Sequence, residues 1–581
     1  MIETRILIAL FLLYWVIVSI LDKKGILERY NISAYGPILM IRTLRGQKLL
    51  DFLARPKSMW RLFANVGIVL MFIGMFAMFF IIVVSDVAML SSIGDNTLPE
   101  PGKFNEARNI FLIPGVNEFI PLSWGIIALL VTLVVHEFSH AILCKVEGIR
   151  VKSMGILLAV VPIGGFAEPD EEELFGVKKE ADDNLVASST NGPIERKILG
   201  MDKKPDNSKV ATREQRARIL AAGVMSNFVV AAIAFILLFG PVLGAISPLG
   251  DAMIVNVTPD SPADIAGLQN NMVITQIDDT PVENANDILL YMSSVESGTV
   301  VEVHAAKDRV VSVYDVQVGD DDTEDIKGIY VNDIVPDSPA EAAGIEKGML
   351  LINIDGIPIN SSDDFLLFMN STKGGQVILV ETVMADSPEE NVSSAFFEVE
   401  LASDTRTVSE KGFLGVYYGS NGLKIAPLWI TVGEFPAKAY LEALRSIPSL
   451  MTGFVGWIIL LGLPIVGFTG EGFPGFSGTL AQFYHPVGWG EPLGIGVFWI
   501  ANTLLWVGWL NFYVGLFNCL PSVPLDGGHV FKDYLRSFVG RLVSDERRAT
   551  DISAAIAATF TFVILISFLF MIFGPYIVHG F

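Results

Sequence analysis

The sequence has 581 residues, of which 51% are hydrophobic and only 18% are charged, whereas soluble domains usually carry about 25% charged residues. This composition is not that of an ordinary soluble protein, so apolar runs near 20 residues, the length that spans a bilayer, are the first feature to seek. The net charge of −23 argues against nucleic acid as a partner, because a surface that binds phosphates is basic.

Six runs are apolar and long enough to cross a membrane as helices, since a helix satisfies its own backbone hydrogen bonds in lipid. The first has neither the basic start nor the small-residue cleavage site of a signal peptide, so we expect it to remain as a span. The fold class predicted is a multi-pass α-helical membrane protein with about six spans. The runs cover residues 5–21, 63–85, 120–144, 217–240, 495–518 and 553–574.

The loops at 22–62, 145–216 and 531–550 are rich in Lys and Arg, which is typical of cytoplasmic loops next to membrane helices. We therefore expect these loops in the cytoplasm and the N-terminus outside. A seventh apolar run, 449–469, contains several glycines and a proline. As a full span it would put 531–550 outside, so we expect it to be re-entrant, packed on the outer surface, or half of a helical hairpin.

The most specific motif is HEFSH, from His136 to His140, near the end of the third run. On a helix, positions i and i+4 share one face, so both imidazoles can bind one zinc ion. Glu137 lies beside them and can take a proton from the attacking water. Two buried histidines that are hydrogen-bonded in a helix bundle are the alternative. Two His and a Glu within an apolar span are costly, however, unless they bind or react.

An acidic insert separates the fourth run from the fifth. Residues 251–410 hold 31 acidic and 6 basic residues, a balance of −25, against +2 for the rest of the chain. The insert also repeats itself with an offset of 77 residues: SPA at Ser261 recurs at Ser338, and the Ile-Asp pair ending at Asp278 recurs at Asp355. A constant offset of this length predicts two copies of one small domain, not a solenoid.

Each copy is predicted to run strand, short Ser-Pro-initiated helix, Gly turn, strand, Asp turn and longer helix. This order resembles circularly permuted PDZ domains of prokaryotic proteases, over 250–325 and 327–402. The resemblance implies an α+β tandem PDZ pair that binds peptide ends by adding a strand to its sheet. A rigid spacer that binds nothing specific is the alternative.

A catalytic zinc site has three protein ligands and one open position, so a third ligand must come from another part of the chain. The candidate is Asp526, in the stretch NCLPSVPLDGG that begins at Asn518. Prolines break the helix there, and the two glycines after Asp526 permit a tight turn that aims its carboxylate into the bundle. A simple turn without a ligand is the alternative. His529 could support the site or replace a ligand, and we expect the supporting or structural role.

HExxH in one membrane helix and N-x-x-P with LDGG in a later one resemble the site-2 protease family of intramembrane zinc metalloproteases. Two weaker features agree. A Gly-rich segment follows the first core helix, and a G-x-x-x-N pattern lies in the second. The family also carries PDZ domains between its second and third core helices. The resemblance covers roughly residues 120–574.

By this resemblance Glu137 is the general base and Asn518 helps to hold the substrate or the oxyanion. His136, His140 and Asp526 bind a single catalytic Zn²⁺. Gly164, Gly165, Phe166 and Asn227 contact the substrate. The domain boundaries implied are 1–119 for an N-terminal two-span extension with a basic loop, 120–245 and 493–581 for the two core halves, 250–325 and 327–402 for the PDZ pair, and 427–492 for an amphipathic or hydrophobic connection.

The predicted function is hydrolysis of transmembrane substrates within the bilayer or at its cytoplasmic edge, in regulated intramembrane proteolysis. The expected partners are the lipid bilayer, single-span membrane proteins that another protease has already shortened, and peptide ends at the PDZ pair. The expected location is the plasma membrane of a prokaryote, with the PDZ pair outside and the zinc site near the cytoplasmic side. An inactive PDZ scaffold and a zinc transporter are the alternatives. A transporter would need more ionisable residues inside its other spans.

Overall fold

The structure is a computed structural model. It describes residues 4–30, 32–43, 47–94, 97–98, 101–110, 113–159, 161–175, 210–319, 328–335, 338–359, 362–384, 394–403, 411–419, 423–466 and 475–580.

Helices dominate both ends of the chain, and five of them are long and apolar enough to cross a membrane. These five are α3, α5, α7 with its continuation to Val242, α14 and α16. The helices are α1 Thr4–Lys23, α2 Gln47–Leu53, α3 Lys57–Gly94, α4 Ala107–Ile110, α5 Leu122–Glu147, α6 Glu171–Phe175, α7 Arg213–Leu237, α8 Pro262–Ala266, α9 Ala285–Met292, α10 Pro339–Ala343, α11 Ser362–Ser371, α12 Ala437–Leu450, α13 Phe454–Val466, α14 Gly496–Asn518, α15 Asp526–Leu542 and α16 Glu546–His579.

Most strands of the described residues form a four-stranded sheet near the first helices and two larger sheets in and just after the acidic insert, while β16 pairs with β17 and β5 pairs with β21. They are β1 Ile32–Tyr35, β2 Ile38–Thr43, β3 Val151–Ala159, β4 Val161–Pro169, β5 Ile246–Pro248, β6 Ala252–Val257, β7 Val273–Ile277, β8 Thr280–Pro281, β9 Val300–Lys307, β10 Val310–Gln317, β11 Ile329–Ile334, β12 Met349–Ile354, β13 Ile357–Pro358, β14 Val377–Met384, β15 Ala395–Glu400, β16 Ala402–Ser403, β17 Gly412–Phe413, β18 Val416–Gly419, β19 Leu423–Ile425, β20 Ile430–Glu434 and β21 Tyr484–Pro486.

Five of the six predicted spans thus correspond to helices of spanning length, and four of these helices continue beyond the apolar runs at one or both ends. The run at 5–21 forms the 20-residue helix α1, and its crossing of the membrane stays a prediction. The run at 449–469 contains the 13-residue helix α13. A helix of that length is about 20 Å long, which is too short for a hydrocarbon core about 30 Å thick. It packs instead beside α14, where Trp509 and Tyr513 both donate to the carbonyl of Leu461 at 3.0 Å.

Helices α5, α7 and α14 form the central bundle, and glycines let their neighbours approach closely. A Cβ added to Gly508 or Gly515 of α14 would lie within 3 Å of a phenylalanine of α7. Helix α3 packs on the other side of α7, where a Cβ on Gly67 would meet Met225 at 2.8 Å. Small residues at such crossings favour helix association in lipid, because dispersion contacts rather than water release drive it.

The basic loops lie at the same end of the bundle, as the charge pattern predicts. Arg61 before the α3 span donates to Glu147 at the end of α5 at 3.0 Å, and Gln215 at the start of α7 donates to the same carboxylate at 3.2 Å. Arg216 of α7 donates to Asp533 of α15 at 2.7 Å. These contacts join the ends of α3, α5, α7 and α15.

The N-terminal extension contributes two strands to the sheet beside the central bundle. The strand order is β1-β2-β3-β4, all antiparallel, and Ile41 of β2 pairs with Ile156 of β3. Strands β3 and β4 carry the Gly-rich segment, so the extension is part of the architecture around the first core helix.

The acidic insert contains two units with the same order of elements, at the positions of the repeated sequence. Ser261 and Ser338 each cap a short helix by accepting a backbone N–H. Asp278 and Asp355 adopt positive φ, and each accepts a backbone N–H at 2.7 Å, from Glu302 and from the equivalent residue of the second unit. The two units are therefore equivalent down to single hydrogen bonds.

The two units are nested rather than simply consecutive. The first sheet has the order β10-β9-β7-β6-β20-β19, so two of its strands come after the second unit in the chain. The second sheet has the order β15-β14-β12-β11-β18. The intervals 250–325 and 327–402 therefore contain most, but not all, of each unit. Pairing between strands that are far apart in the chain leaves no local sequence signal. The sequence therefore did not predict that β18, β19 and β20 belong to these units.

Candidate metal centre

Three side chains predicted to bind metal meet inside the helical bundle. His136 and His140 lie one turn apart on α5, and Asp526 is the first residue of α15. Oδ2 of Asp526 lies 3.2 Å from Nε2 of His136 and 3.3 Å from Nε2 of His140, and the two Nε2 atoms are 3.1 Å apart. Their candidate ligand atoms all lie within 4.8 Å of one another, so one ion can contact all three.

The two glycines after Asp526 do not form the predicted tight turn. They lie in the first turn of α15, and neither has a positive φ. A Cβ on Gly527 would lie 2.3 Å from the carbonyl oxygen of Cys519, and one on Gly528 would lie 2.4 Å from the backbone of Ser522. The glycines therefore let α15 start against the segment that follows α14, and this close approach brings Asp526 back to the histidines.

His140 is held by the backbone of α7. Its Nδ1 lies 2.7 Å from the carbonyl oxygen of Ile219. A carbonyl can only accept, so Nδ1 carries the proton and donates it. The Nε2 lone pair is then free to face Asp526, which is the arrangement of a metal-binding histidine with its second nitrogen held by a backbone oxygen.

His136 is held by Asn227 of α7, which is fully buried. The Asn227 amide lies 3.2 Å from His136 Nδ1, and Asn227 Oδ1 has no hydrogen-bond partner among the described residues. The two ends of an amide are assigned from their partners. With Oδ1 toward Nδ1, the buried oxygen accepts the Nδ1–H and the Nε2 lone pair faces the centre. This contact points to a positioning role, whereas the predicted substrate contact of Asn227 stays untested.

Gly223 makes room for an ion between the two imidazoles. A Cβ at this position would lie 2.5 Å from Nε2 of His140 and 2.7 Å from Cε1 of His136. Oδ2 of Asp526 is itself buried without a well-aligned hydrogen bond among the described residues. Two imidazoles, one carboxylate and a space kept clear by a glycine fit a zinc site with three protein ligands. The G-x-x-x-N pattern of α7 thus has two roles: Gly223 leaves space for the ion, and Asn227 contacts His136.

Replacement of Gly223 by alanine should weaken zinc binding, because the new methyl group must displace one of the imidazoles. Zinc per protein after dialysis against a chelator of graded strength measures the effect. Gly240→Ala is the matched control, since a Cβ there meets nothing within 4 Å. Equal zinc retention in the two variants would contradict the assignment of this space to the ion.

Replacement of Asn227 by alanine should weaken zinc binding about 10–100-fold, the usual effect of losing a hydrogen bond that supports a metal ligand. Asn227→Asp should retain most of the affinity, because a carboxylate oxygen can also accept the Nδ1–H of His136. Competition with a chromogenic chelator measures both constants. If the aspartate variant binds zinc as weakly as the alanine variant, then the amide acts as a donor and the tautomer assigned to His136 is wrong.

The Glu137 side chain lies against strand β4. Its Oε2 accepts the backbone N–H of Ala167 at 2.8 Å, and a Cβ on Gly165 would lie 2.6 Å from its Cγ. Glycine at 165 therefore allows the strand to lie directly against the Glu137 side chain. The predicted base and the Gly-rich segment are in contact beside the metal group.

Strand β4 contains all three residues of the Gly-rich segment predicted to contact substrate. Gly164, Gly165 and Phe166 pair with Leu157, Ile156 and Gly155 of β3. Strand β4 is the last strand of its sheet, so its outer edge pairs with no other strand of the described residues. A strand edge that pairs with no other strand is a template for an added strand.

Two further predicted residues lie near the centre without joining it. Asn518 ends α14, and its side-chain amide donates to the carbonyl of Val514 at 3.1 Å. His529 lies in the first turn of α15, outside the three residues whose ligand atoms converge. The role of Asn518 in holding substrate or oxyanion therefore stays a prediction.

Comparisons with known proteins show which family this chain resembles. The sequence profile described as "Peptidase family M50" matches residues 124–566. The chain is 24% identical over 475 residues to "Regulator of sigma-E protease RseP" of Salmonella typhimurium, covering 74% of this chain and 94% of the relative. It is 23% identical over 461 residues to the Escherichia coli protein of the same name, covering 72% and 91%.

A shorter similarity concerns a protein from another bacterium. The chain is 35% identical over 114 residues to "Zinc metalloprotease RasP" of Oceanobacillus iheyensis, covering 18% of this chain and 26% of the relative. The match to the family profile includes the HExxH helix, the insert and the segment with Asp526. Helices α1 and α3 lie outside the match to the family profile.

Proposed function

Because the chain belongs to peptidase family M50, the family whose motifs it resembles, we propose that this membrane metalloprotease cuts transmembrane proteins within the bilayer or at its cytoplasmic edge. The observation that carries the proposal is a three-residue metal group whose two histidines lie on a helix of spanning length, with Asp526 brought against them at the start of α15. His136 lies eleven residues before the end of α5, about 16 Å along the helix axis. His136 therefore lies within the helical bundle rather than on a loop.

The chain's residues have distinct roles in the proposed reaction. His136, His140 and Asp526 would hold a zinc ion, which supplies a Lewis acid that lowers the pKa of water and polarises a carbonyl group. Glu137 accepts a proton from the attacking water and later donates it to the leaving amine. The open edge of β4 would hold the substrate backbone in an extended form beside Glu137. Asn518 would hold the substrate or the oxyanion.

An extended substrate is a physical requirement of this reaction. The peptide groups of a membrane helix are engaged in its own hydrogen bonds, and lipid offers no replacement partners. A strand edge offers such partners as the helix unwinds. Strand β4 has that edge next to Glu137, which supports its role in substrate binding.

The remaining proposals concern partners and location. We infer that substrates are single-span proteins already shortened by another protease, as in regulated intramembrane proteolysis, and that the two nested units act as PDZ domains that recognise peptide ends. The basic ends of the bundle would face the cytoplasm of a prokaryote. The acidic units would then lie outside the plasma membrane.

Cleavage of a single-span substrate in vesicles tests the proposed function. The purified protein should cut a tagged transmembrane segment, and the product ends should map within or next to that segment. A soluble peptide with the flanking sequence should remain intact. If only the soluble peptide is cleaved, the protein is a membrane-bound protease that does not cut within the membrane. If neither is cleaved by protein that binds zinc, the inactive scaffold becomes the better account.

A further inference from the structure

A cavity lies apart from the metal centre, between α3, α15 and α16. It has a volume of about 600 Å³ and is lined mainly by aromatic and aliphatic side chains. It shares Arg213 and Ser537 with an adjoining polar cavity of about 450 Å³. Together they form one groove with an apolar half and a polar half.

One wall of the apolar half follows a single face of α3. Phe72, Met75, Phe76 and Phe79 have the spacing i, i+3, i+4 and i+7, so they form one stripe about 10 Å long. Phe76 is 71% exposed. Phe72 and Phe79 are half-buried and Met75 is buried, so in a helix of spanning length this stripe meets lipid at Phe76.

The opposite wall follows a single face of α15. Phe531, Tyr534, Leu535 and Phe538 have the same i, i+3, i+4 and i+7 spacing, and the rest of this helix is strongly polar. Tyr534 meets Phe72 edge-on at a ring distance of 5.2 Å. Phe538 is 60% exposed. The two stripes thus touch at the floor of the groove and separate toward its opening.

Two arginines lie where the apolar half ends. Arg213 begins α7, and its guanidinium lies 4.8 Å from the ring centre of Tyr534. Its Nε is buried without a hydrogen-bond partner in the described part of the chain. Arg541 lines the same cavity from the last turn of α15. Among the described residues neither has a carboxylate within salt-bridge distance.

The other charges of the polar half are already balanced. Arg216 pairs with Asp533 at 2.7 Å, and Arg536 pairs with Glu546 at 3.0 Å. The net charge that the groove presents therefore comes from Arg213 and Arg541. A ligand that complements the whole groove has one anionic group and a long apolar tail.

We propose that this groove binds one anionic phospholipid, with its phosphate on Arg213 and Arg541 and an acyl chain between the two aromatic stripes. Basic pockets between membrane helices bind anionic headgroups in this way, and guanidinium groups match phosphate oxygens with paired hydrogen bonds. The lipid would join the extra span α3 to α15, which begins at Asp526. Its binding does not depend on peptide cleavage.

A peptide segment fits the groove less well. The apolar half opens to lipid along α3, where acyl chains are present at high concentration. An unwound peptide there would leave its backbone groups without partners, because the facing walls are side chains rather than a strand edge.

Lipid retention tests the proposal directly. The full chain is equilibrated with vesicles of equal parts phosphatidylglycerol and phosphatidylcholine, extracted in mild detergent, and examined by native mass spectrometry. Wild type should retain one phosphatidylglycerol. In Arg213→Ala/Arg541→Ala this retention should fall about 30-fold, since each arginine near the surface contributes roughly a fivefold attraction.

Two further variants test whether the loss of lipid is specific to this groove. Arg547→Ala/Arg548→Ala removes the same charge at the start of α16, outside both cavities, and should retain the lipid. Ser537→Trp keeps both arginines but fills the point where the two halves of the groove meet, and should lose it. Equal phosphatidylglycerol retention in all four proteins would overturn the proposal. So would unchanged lipid with loss of a co-purifying peptide substrate, which would identify the groove as a peptide site.

Discussion

Glu137→Gln should abolish peptide cleavage and leave zinc binding intact. Glutamine has the same shape and can still accept the backbone N–H of Ala167 that Glu137 accepts at 2.8 Å. It cannot take a proton from water, so the loss should be the whole contribution of a general base, about 10²–10⁴-fold in rate. The measurement is single-turnover cleavage of a transmembrane substrate in vesicles, together with zinc per protein by atomic emission.

The matched control is Glu168→Gln, the same chemical change on the adjoining strand β4. The Glu168 carboxylate accepts the hydroxyl of Ser153 at 2.6 Å instead of facing the metal group. This variant should cleave at a rate close to wild type. Cleavage by Glu137→Gln at the wild-type rate would remove Glu137 from the mechanism, and loss of zinc from it would mean that the carboxylate acts on the metal group rather than on water.

Asp526→Ala should lose both zinc and cleavage. Its Oδ2 lies 3.2 and 3.3 Å from the two histidine Nε2 atoms, so the change removes one of three ligands and leaves two imidazoles alone in the bundle. The loss of zinc affinity should exceed the 10–100-fold typical of losing only a supporting hydrogen bond. Chelator competition and the vesicle cleavage assay measure the two effects on one preparation.

Asp533→Asn is the control for Asp526→Ala, because it changes a carboxylate two turns further along the same helix. Asp533 pairs with Arg216 at 2.7 Å, and this pair joins α15 to α7 outside the metal group. The control should keep zinc while losing some stability. A zinc content in Asp526→Ala equal to wild type would mean that another residue supplies the third ligand, and His529, three residues further on, would be the first to test.

The N-terminal extension takes part in the structure around the site. Strands β1 and β2 continue the sheet that ends in β4, and β4 lies against Glu137. On α3, a Cβ at Gly74 would lie 2.7 Å from Sγ of Cys519, in the segment that carries Asp526 back to the histidines. Arg61 also holds the end of the HExxH helix through Glu147. The extension therefore supports both halves of the core.

The two cysteines show how a simple sequence argument succeeds. Cys144 and Cys519 lie far apart in the sequence at the ends of apolar runs, a placement that predicts unpaired buried thiols. Both are free and buried in the structure. Cys519 is packed against Gly74, so its role is to fill space at a helix crossing.

The sequence by itself determined the features that depend on local spacing and polarity. Apolar run length predicted six spans, five of which are helices of spanning length. The i, i+4 histidines predicted one side of a metal group, and the constant offset predicted two copies of one unit. Asp526 could be proposed because it ends a span at the same depth as His136. These inferences need only helix periodicity and the cost of placing ionisable groups in lipid.

Only the tertiary structure decided how distant segments meet. The contact of Asn227 with His136, the space kept by Gly223, the strand edge beside Glu137 and the sheet shared with the N-terminal extension all join residues far apart in the chain. The later strands of the nested units were likewise invisible in the sequence. Such contacts depend on how two elements pack, and packing is set by the shapes of both partners. The periodicity of a sequence shows only which face of one element is apolar.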